Sequence, residues 1–213
     1  MGGHRDWDKV EMVADGVDIV DTAARPLHFS DVSTLPLRKR GNVVSRPPTL
    51  LHKVGMDIGY GSGIAVGGQK YCLMLVDATS RKKWVYGLVN LQGTSIVNQL
   101  QQFFIDVGRV PHLIQTDFDP KFLGGAVANL CLHKGIQLRA SPPNQKSKNG
   151  LVESSWKQVV ITARALLLEA NLPKRFWFWA AREAALRIDM QPVTIPAPAN
   201  TPGGCHKICH LSV

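Results

Sequence analysis

The 213-residue sequence has no run of about 18 apolar residues, the length a membrane-spanning helix needs, and its first residues are acidic rather than apolar. Neither a transmembrane helix nor a secretion signal is expected, and no membrane partner. It has only four cysteines, which do not make a disulfide framework in a chain of this length, so a reducing compartment, cytosol or nucleus, is expected. Acids are the minority charge: 16 Asp and Glu against 25 Lys and Arg, a net of +9 at pH 7. Residues 1–22 hold six acids and two bases, and taking that −4 away from +9 leaves +13 on the rest. A polyanionic partner such as nucleic acid is expected. What the chain does have is 45% hydrophobic residues, too many for a disordered chain, and enough for a core domain of about 130–150 residues to bury its apolar surface.

Residues 1–50 show little periodicity and carry Arg38-Lys39-Arg40 and Pro47-Pro48, so they read as a flexible arm or linker. The pattern sharpens at residue 51. Strands are expected at Leu51–Ile58, Tyr71–Val76, Lys83–Val89, His112–Thr116 and Ile136–Ala140. Helical spacing of apolar residues marks 94–107, 122–134, 151–170 and 174–189, with Pro173 stopping the third. Hairpin-linked strands followed by alternating units imply an α/β fold, a mixed five-stranded sheet flanked by helices, of the ribonuclease-H-like kind. The core is placed at 51–192, and 193–213, rich in Pro and Gly, reads as a disordered tail.

Three acids sit where such a sheet can gather them. Asp57 lies inside the first strand, Asp117 ends the fourth, and Glu153 is in the first turn of the long helix. Carboxylates at strand ends and a helix start can converge at one sheet edge. Hard divalent cations take oxygen ligands, and three converging carboxylates can hold two ions about 3.5–4 Å apart, an arrangement suited to displacement at phosphorus. Each acid alone has an ordinary reading: Glu153 favours the helix dipole and Asp117 has Asp119 beside it. Asp57 resists that reading, because Met56-Asp57-Ile58 puts a charge in an apolar strand, where it needs a cation or a donor.

These residues and their surroundings resemble the integrase catalytic core of retroviruses and copia-type retrotransposons. That family carries an Asp, Asp, Glu triad with 35 residues commonly lying between the last two, as lie between Asp117 and Glu153 here. Met56-Asp57-Ile58, Val76-Asp77, Ser80-Arg81, Trp84-Val85-Tyr86 and Gln115-Thr116-Asp117 match its strands. Ser141-Pro142-Pro143 and Asn149-Gly150-Leu151-Val152-Glu153-Ser154 match its loop and catalytic helix. Ala163-Arg164-Ala165-Leu166-Leu167, Phe176-Trp177 and Ala184 match the helices that follow, so the resemblance covers residues 50–192.

The resemblance implies a polynucleotidyl transferase that joins element DNA 3′ ends to target DNA, with Asp57, Asp117 and Glu153 as catalytic residues and ligands of two Mg²⁺ or Mn²⁺ ions. It also implies a homo-oligomer acting in the nucleus, with a cytoplasmic particle stage. Lys146, Lys148 and Asn149 in the loop, and Lys157 and Arg164 within about 40° of Glu153 on the helix, are the expected DNA contacts. The chain departs from the family at Phe118-Asp119-Pro120-Lys121-Phe122, where a Gly-containing turn and Glu-Phe are usual, and the family's upstream His/Cys zinc module is not in the first 50 residues. A piece of a larger polyprotein, a decayed copy or a host-recruited fragment is therefore expected, and the alternative to an active enzyme is a catalytically inactive DNA-binding fragment. Three further signals are set aside. Cys205-His206 and Cys209-His210 lack the two separated ligand pairs of a zinc fold. Cys72, Cys131, Trp177 and Trp179 read as packing or subunit-contact residues. Glycines 59, 61, 63, 67 and 68 open no helix, so they are no nucleotide-binding fingerprint.

Overall fold

The computed structural model describes residues 49–117, 120–123, 125–141, 150–191, 193–196 and 205–208. Five strands, β1 (Lys53–Tyr60), β2 (Tyr71–Asp77), β3 (Lys83–Leu88), β4 (Leu113–Thr116) and β5 (Gln137–Ala140), form one sheet in the order β3-β2-β1-β4-β5. The first three are antiparallel meander strands, while β4 and β5 run parallel to β1. This is the mixed sheet the sequence pattern calls for. Helix α1 (Gly93–Val107) follows β3, the short α2 (Pro120–Leu123) and α3 (Gly125–His133) follow β4, and α4 (Gly150–Glu169) follows β5. A single 3₁₀ turn, Lys174–Phe176, then leads into α5 (Trp177–Asp189). No helix among the described residues is long and apolar enough to cross a membrane.

Each face of the sheet buries one hydrophobic cluster. Val54 and Met56 of β1 face Ile96, Leu100, Phe103 and Phe104 of α1 and Val127 and Cys131 of α3. Cys72, Met74 and Val76 of β2 face Val152, Trp156, Val159 and Ala163 of α4 and the alanine-rich side of α5. Both cysteines are buried in these clusters, as their apolar sequence neighbourhoods imply. Trp177 is buried and donates its indole N–H to the Gly63 carbonyl at 3.0 Å, whereas Trp179 is 46% exposed. Together with the bond from Val66 N–H to the Arg175 carbonyl, 3.0 Å, this ties the glycine-rich β1–β2 connection to the start of α5.

Several boundaries differ from the sequence reading: the helix expected at 122–134 is two, α2 and α3, and the helix expected from 174 opens as the 3₁₀ turn, so α5 begins at Trp177. Helix α4 is ended by its own backbone before Pro173 is reached. Asn171 is left-handed (φ 49°), its N–H bonds the Leu168 carbonyl, and the Leu172 N–H bonds the Leu167 carbonyl, a Schellman closure. The segment read as a disordered tail contains a two-stranded antiparallel ladder, β6 (Val193–Pro196) with β7 (Cys205–Ile208), registered Val193↔Ile208. The β-prone Val193, Thr194, Ile195 and Ile208 supply it, and much of the Pro and Gly composition that dominated the sequence reading lies in 197–204. The arm expected over 1–50 lies outside the described residues except for 49 and 50.

Candidate active site

Alternation along β1 decides what Asp57 faces. Val54 and Met56 point to the α1 layer, so Gly55, Asp57 and Gly59 point to the α4 layer. The two glycines flank the acid, and both are filled by α4. A Cβ at Gly55 would collide with Val152 Cγ2, and one at Gly59 would collide with the Trp156 ring. Asp57 is thus half-buried between two positions where helix and strand approach closely. Its Oδ1 accepts the Ile58 N–H at 2.9 Å. Its charge reaches Cys72, where burial first and the Asp57 carboxylate second push the thiol far up, so that Cys72 stays neutral.

The second acid follows from strand register. β1 and β4 pair in parallel through Val54↔Ile114 and Gly55↔Gln115. Carried on two residues, that register sets Asp57 level with Asp117, on the same face, on strands about 4.8 Å apart where they are bonded. The ladder stops at Gly55↔Gln115, so both acids lie just beyond the last bonded pair, at the carboxyl end of β4. Asp117 is half-buried and its Oδ1 accepts from Thr116 Oγ1 at 3.4 Å. Beneath it Gln115 Nε2 donates to Ser141 Oγ at 2.8 Å, and the Ser141 N–H bonds the Thr116 carbonyl, which pins the end of β5 beside this acid.

The third acid arrives on α4. Glu153 follows Val152, the residue seated against Gly55, and stands in the first helical turn, where the dipole favours its charge. Its Oε1 is 3.9 Å from Lys157 Nζ, an i,i+4 pair whose side chains are 35% and 66% exposed. Strand register and helix contact therefore bring the three acid-bearing positions to one edge of the sheet. Among the described residues, no three His, Cys, Asp or Glu side chains come close enough together to hold a metal ion. Asp57 accepts from the Ile58 amide, Asp117 accepts from the Thr116 hydroxyl, and Glu153 pairs with Lys157.

Of the expected DNA contacts, Lys157 is exposed on α4 and Arg164 is half-buried two turns on; Lys146, Lys148 and Asn149 lie outside the described residues, as do Phe118 and Asp119. Sequence reasoning missed two features. The glycines that flank Asp57 read as part of a strand and a loop, although Gly-x-Asp-x-Gly at period two was a visible signal of close approach. The buried pair of Lys83 and Asp189, Nζ to Oδ1 3.3 Å, ties the start of β3 to the end of α5, and Oδ2 also accepts the Lys83 N–H at 2.9 Å. Nothing in the local sequence of either residue signals it.

No protein-family model matches the chain. It is 28% identical over 130 residues to the retrovirus-related Pol polyprotein from transposon TNT 1-94 of Nicotiana tabacum, covering 60% of this chain and 10% of that protein. It is 27% identical over 135 residues to the retrovirus-related Pol polyprotein from transposon RE1 of Arabidopsis thaliana, covering 59% of this chain and 9% of that one. The chain thus spans about a tenth of the length of these relatives. Among solved structures it is similar to the HTLV-2 integrase catalytic core domain in complex with magnesium, a trimeric form, with TM-score 0.53 and 20% identity over 68% of this chain and 89% of that one. It is also similar to the BIV integrase catalytic core domain, TM-score 0.53 and 16% identity over 68% and 87% of the two chains. The ribonuclease-H-like fold of the retroviral integrase core and the resemblance to copia-type integrase cores both stand on these matches.

Proposed function

We propose that this chain, which resembles the copia-type integrase core in sequence and retroviral integrase cores in fold, joins the 3′ ends of element DNA to target DNA. The observation that supports this best is the register that sets Asp57 level with Asp117, with the helix bearing Glu153 seated against the glycines on either side of Asp57. The donor set fits a hard divalent cation: three carboxylates, with no nitrogen or sulfur ligand among them. The magnesium in the HTLV-2 core is consistent with that choice. Asp57 and Asp117 would hold one Mg²⁺ or Mn²⁺, and Asp57 and Glu153 the other. When bound, such ions lower the pKa of an attacking water or hydroxyl and stabilise the leaving oxygen.

The chain's own residues do the rest. Gly55 and Gly59 let α4 lie close on the face of β1 that carries Asp57, and Glu153 would approach Asp57 from that helix. Lys157, one turn after Glu153 and largely exposed, steadies that carboxylate and offers its ammonium to a DNA phosphate. Arg164 on α4, and Lys146, Lys148 and Asn149 in the sequence before it, are the further DNA contacts that the resemblance implies. An oligomer on DNA is part of this proposal, in keeping with the trimeric form of the HTLV-2 core.

A strand-transfer assay with Mg²⁺ and with Mn²⁺ tests the reading. Asp57→Asn and Glu153→Gln should abolish joining while DNA binding is kept or strengthened, since each removes a negative charge. Joining by Asp57→Asn would refute the assignment. The second reading, a DNA-binding fragment without chemistry, is favoured by the absence of a gathered three-acid cluster among the described residues. It predicts that the unmutated chain binds DNA and joins nothing with either metal.

A further inference from the structure

We propose that Gly59 and Trp156 are a size-matched pair of positioning residues that sets how closely α4 lies on β1, and so how far Glu153 stands from Asp57. The proposal rests on the metal-ion reading of the site given above. Gly59 lies two residues from Asp57 on the same strand face, and Trp156 lies three residues, just under one turn, from Glu153. The contact between glycine and ring is thus one step from the acids on both elements.

A Cβ added at Gly59 would stand 2.5 Å from Trp156 Cη2, 2.7 Å from Cζ2 and 3.0 Å from Cζ3, so its three nearest atoms all belong to the outer edge of one rigid ring. Such an edge cannot swing aside as the end of a lysine can. The ring is 95% buried by residue exposure, and its Nε1 has no hydrogen-bond partner, so shape rather than bonding fixes where it sits. Gly59 is paired in the extended ladder opposite Cys72, so glycine is required there for room and not for an unusual torsion. On the other side of Asp57, Val152 fills the space of a Cβ at Gly55 in the same manner. Two contacts bracketing the acid fix both the distance and the tilt of the helix. A methyl at 59 wedges the helix outward, and the rigid helix carries Glu153 with it. Metal sites are sensitive to misplacements of this size, because ligands must be held to about 0.5 Å.

The test is Mn²⁺ binding to the full chain, measured by calorimetry, with folding followed by circular dichroism. The variants are Gly59→Ala, Trp156→Leu and the two combined, with Asp57→Asn as the ligand control. Each single substitution should weaken Mn²⁺ binding by roughly 10–100-fold, the range found when groups supporting metal ligands are changed. In the double variant alanine meets leucine, the wedge is gone, and most of the affinity should return. Single variants with unchanged affinity, or a double variant as weak as the two losses combined, overturn the pair. If Gly59→Ala fails to fold, Trp156→Leu and the double variant, neither of which carries the clash, make the same comparison. Unmutated protein that binds no Mn²⁺, or binds it equally after Asp57→Asn, overturns the metal-ion reading and this inference with it. Binding that needs Asp57 but ignores residues 59 and 156 overturns this inference alone.

Discussion

The two faces of the sheet are filled by opposite means. Toward α1 and α3 the filling is bulky: Leu73, Leu75, Ile96, Leu100, Phe103 and Phe122 interdigitate, and Trp84 meets Phe103 edge-on at 5.1 Å between ring centres. Toward α4 and α5 small residues, Gly55 and Gly59 on the strand and Ala163, Ala180, Ala181, Ala184 and Ala185 on the helices, surround a few large ones, with Met74 between the layers and Trp156, Trp177 and Phe178 set against glycines 59, 61 and 87. Branched and aromatic side chains can re-pack around a lost methylene at moderate cost, so the first face tolerates change in shape. Backbone-to-ring contact leaves nothing to adjust, so the second face transmits it. The acids stand on the face that transmits.

Three measurements can break or sharpen that contrast. The largest effect is expected from Asp189→Ala, which strands the buried Lys83 ammonium and removes the tie between β3 and α5; breaking such a pair costs about 3–5 kcal/mol, readable in urea unfolding. Its pH dependence has a definite sign. Burial already lowers the Lys83 pKa below the ordinary 10.5, and Asp189 partly restores it. Without Asp189 the folded-state pKa falls further, the unfolded chain binds more protons across the interval up to 10.5, and stability rises with pH there. The deficit of the variant should therefore shrink from neutral toward strongly alkaline pH. Next comes Leu100→Ala, fully buried on the bulky face, at about 2–5 kcal/mol. Its Mn²⁺ affinity should match that of the unmutated chain, and a loss comparable to that of Gly59→Ala would erase the difference between the faces. The smallest stability effect belongs to Trp156→Leu, because the ring's buried N–H lacks a partner and its removal recovers part of what the lost packing costs.

The sheet was legible because its strands are separate β-prone runs bounded by turns, and every one of the five lies within two residues of its expected place. The helices were legible from apolar spacing. The elements that carry the acids were legible because Asp57 interrupts an apolar strand and Asp117 follows one, and their role as ligands is part of the proposal. Contacts between distant elements were not. The Gly-x-Asp-x-Gly pattern signals a close approach to β1, but what approaches is an indole ring on a helix about 97 residues further on. Lys83 reads as a strand-flanking charge until its partner 106 residues away is known. The β6–β7 ladder was hidden by the composition between its strands, which outweighed two short β-prone runs.

The mixed topology also sets an order of assembly. The β1–β2–β3 meander closes over connections of ten and five residues, so Asp57 is set in its neighbourhood early, at low cost in chain entropy. The parallel partners must wait for crossovers, and Glu153 cannot dock until a chain segment nearly a hundred residues long has closed on β1. Folding-rate analysis should therefore give high φ-values at Met74 and Val85 and low ones at Val152. The end of the sheet where β1, β4 and α4 meet is completed only after the hydrophobic layers beneath it have committed the chain.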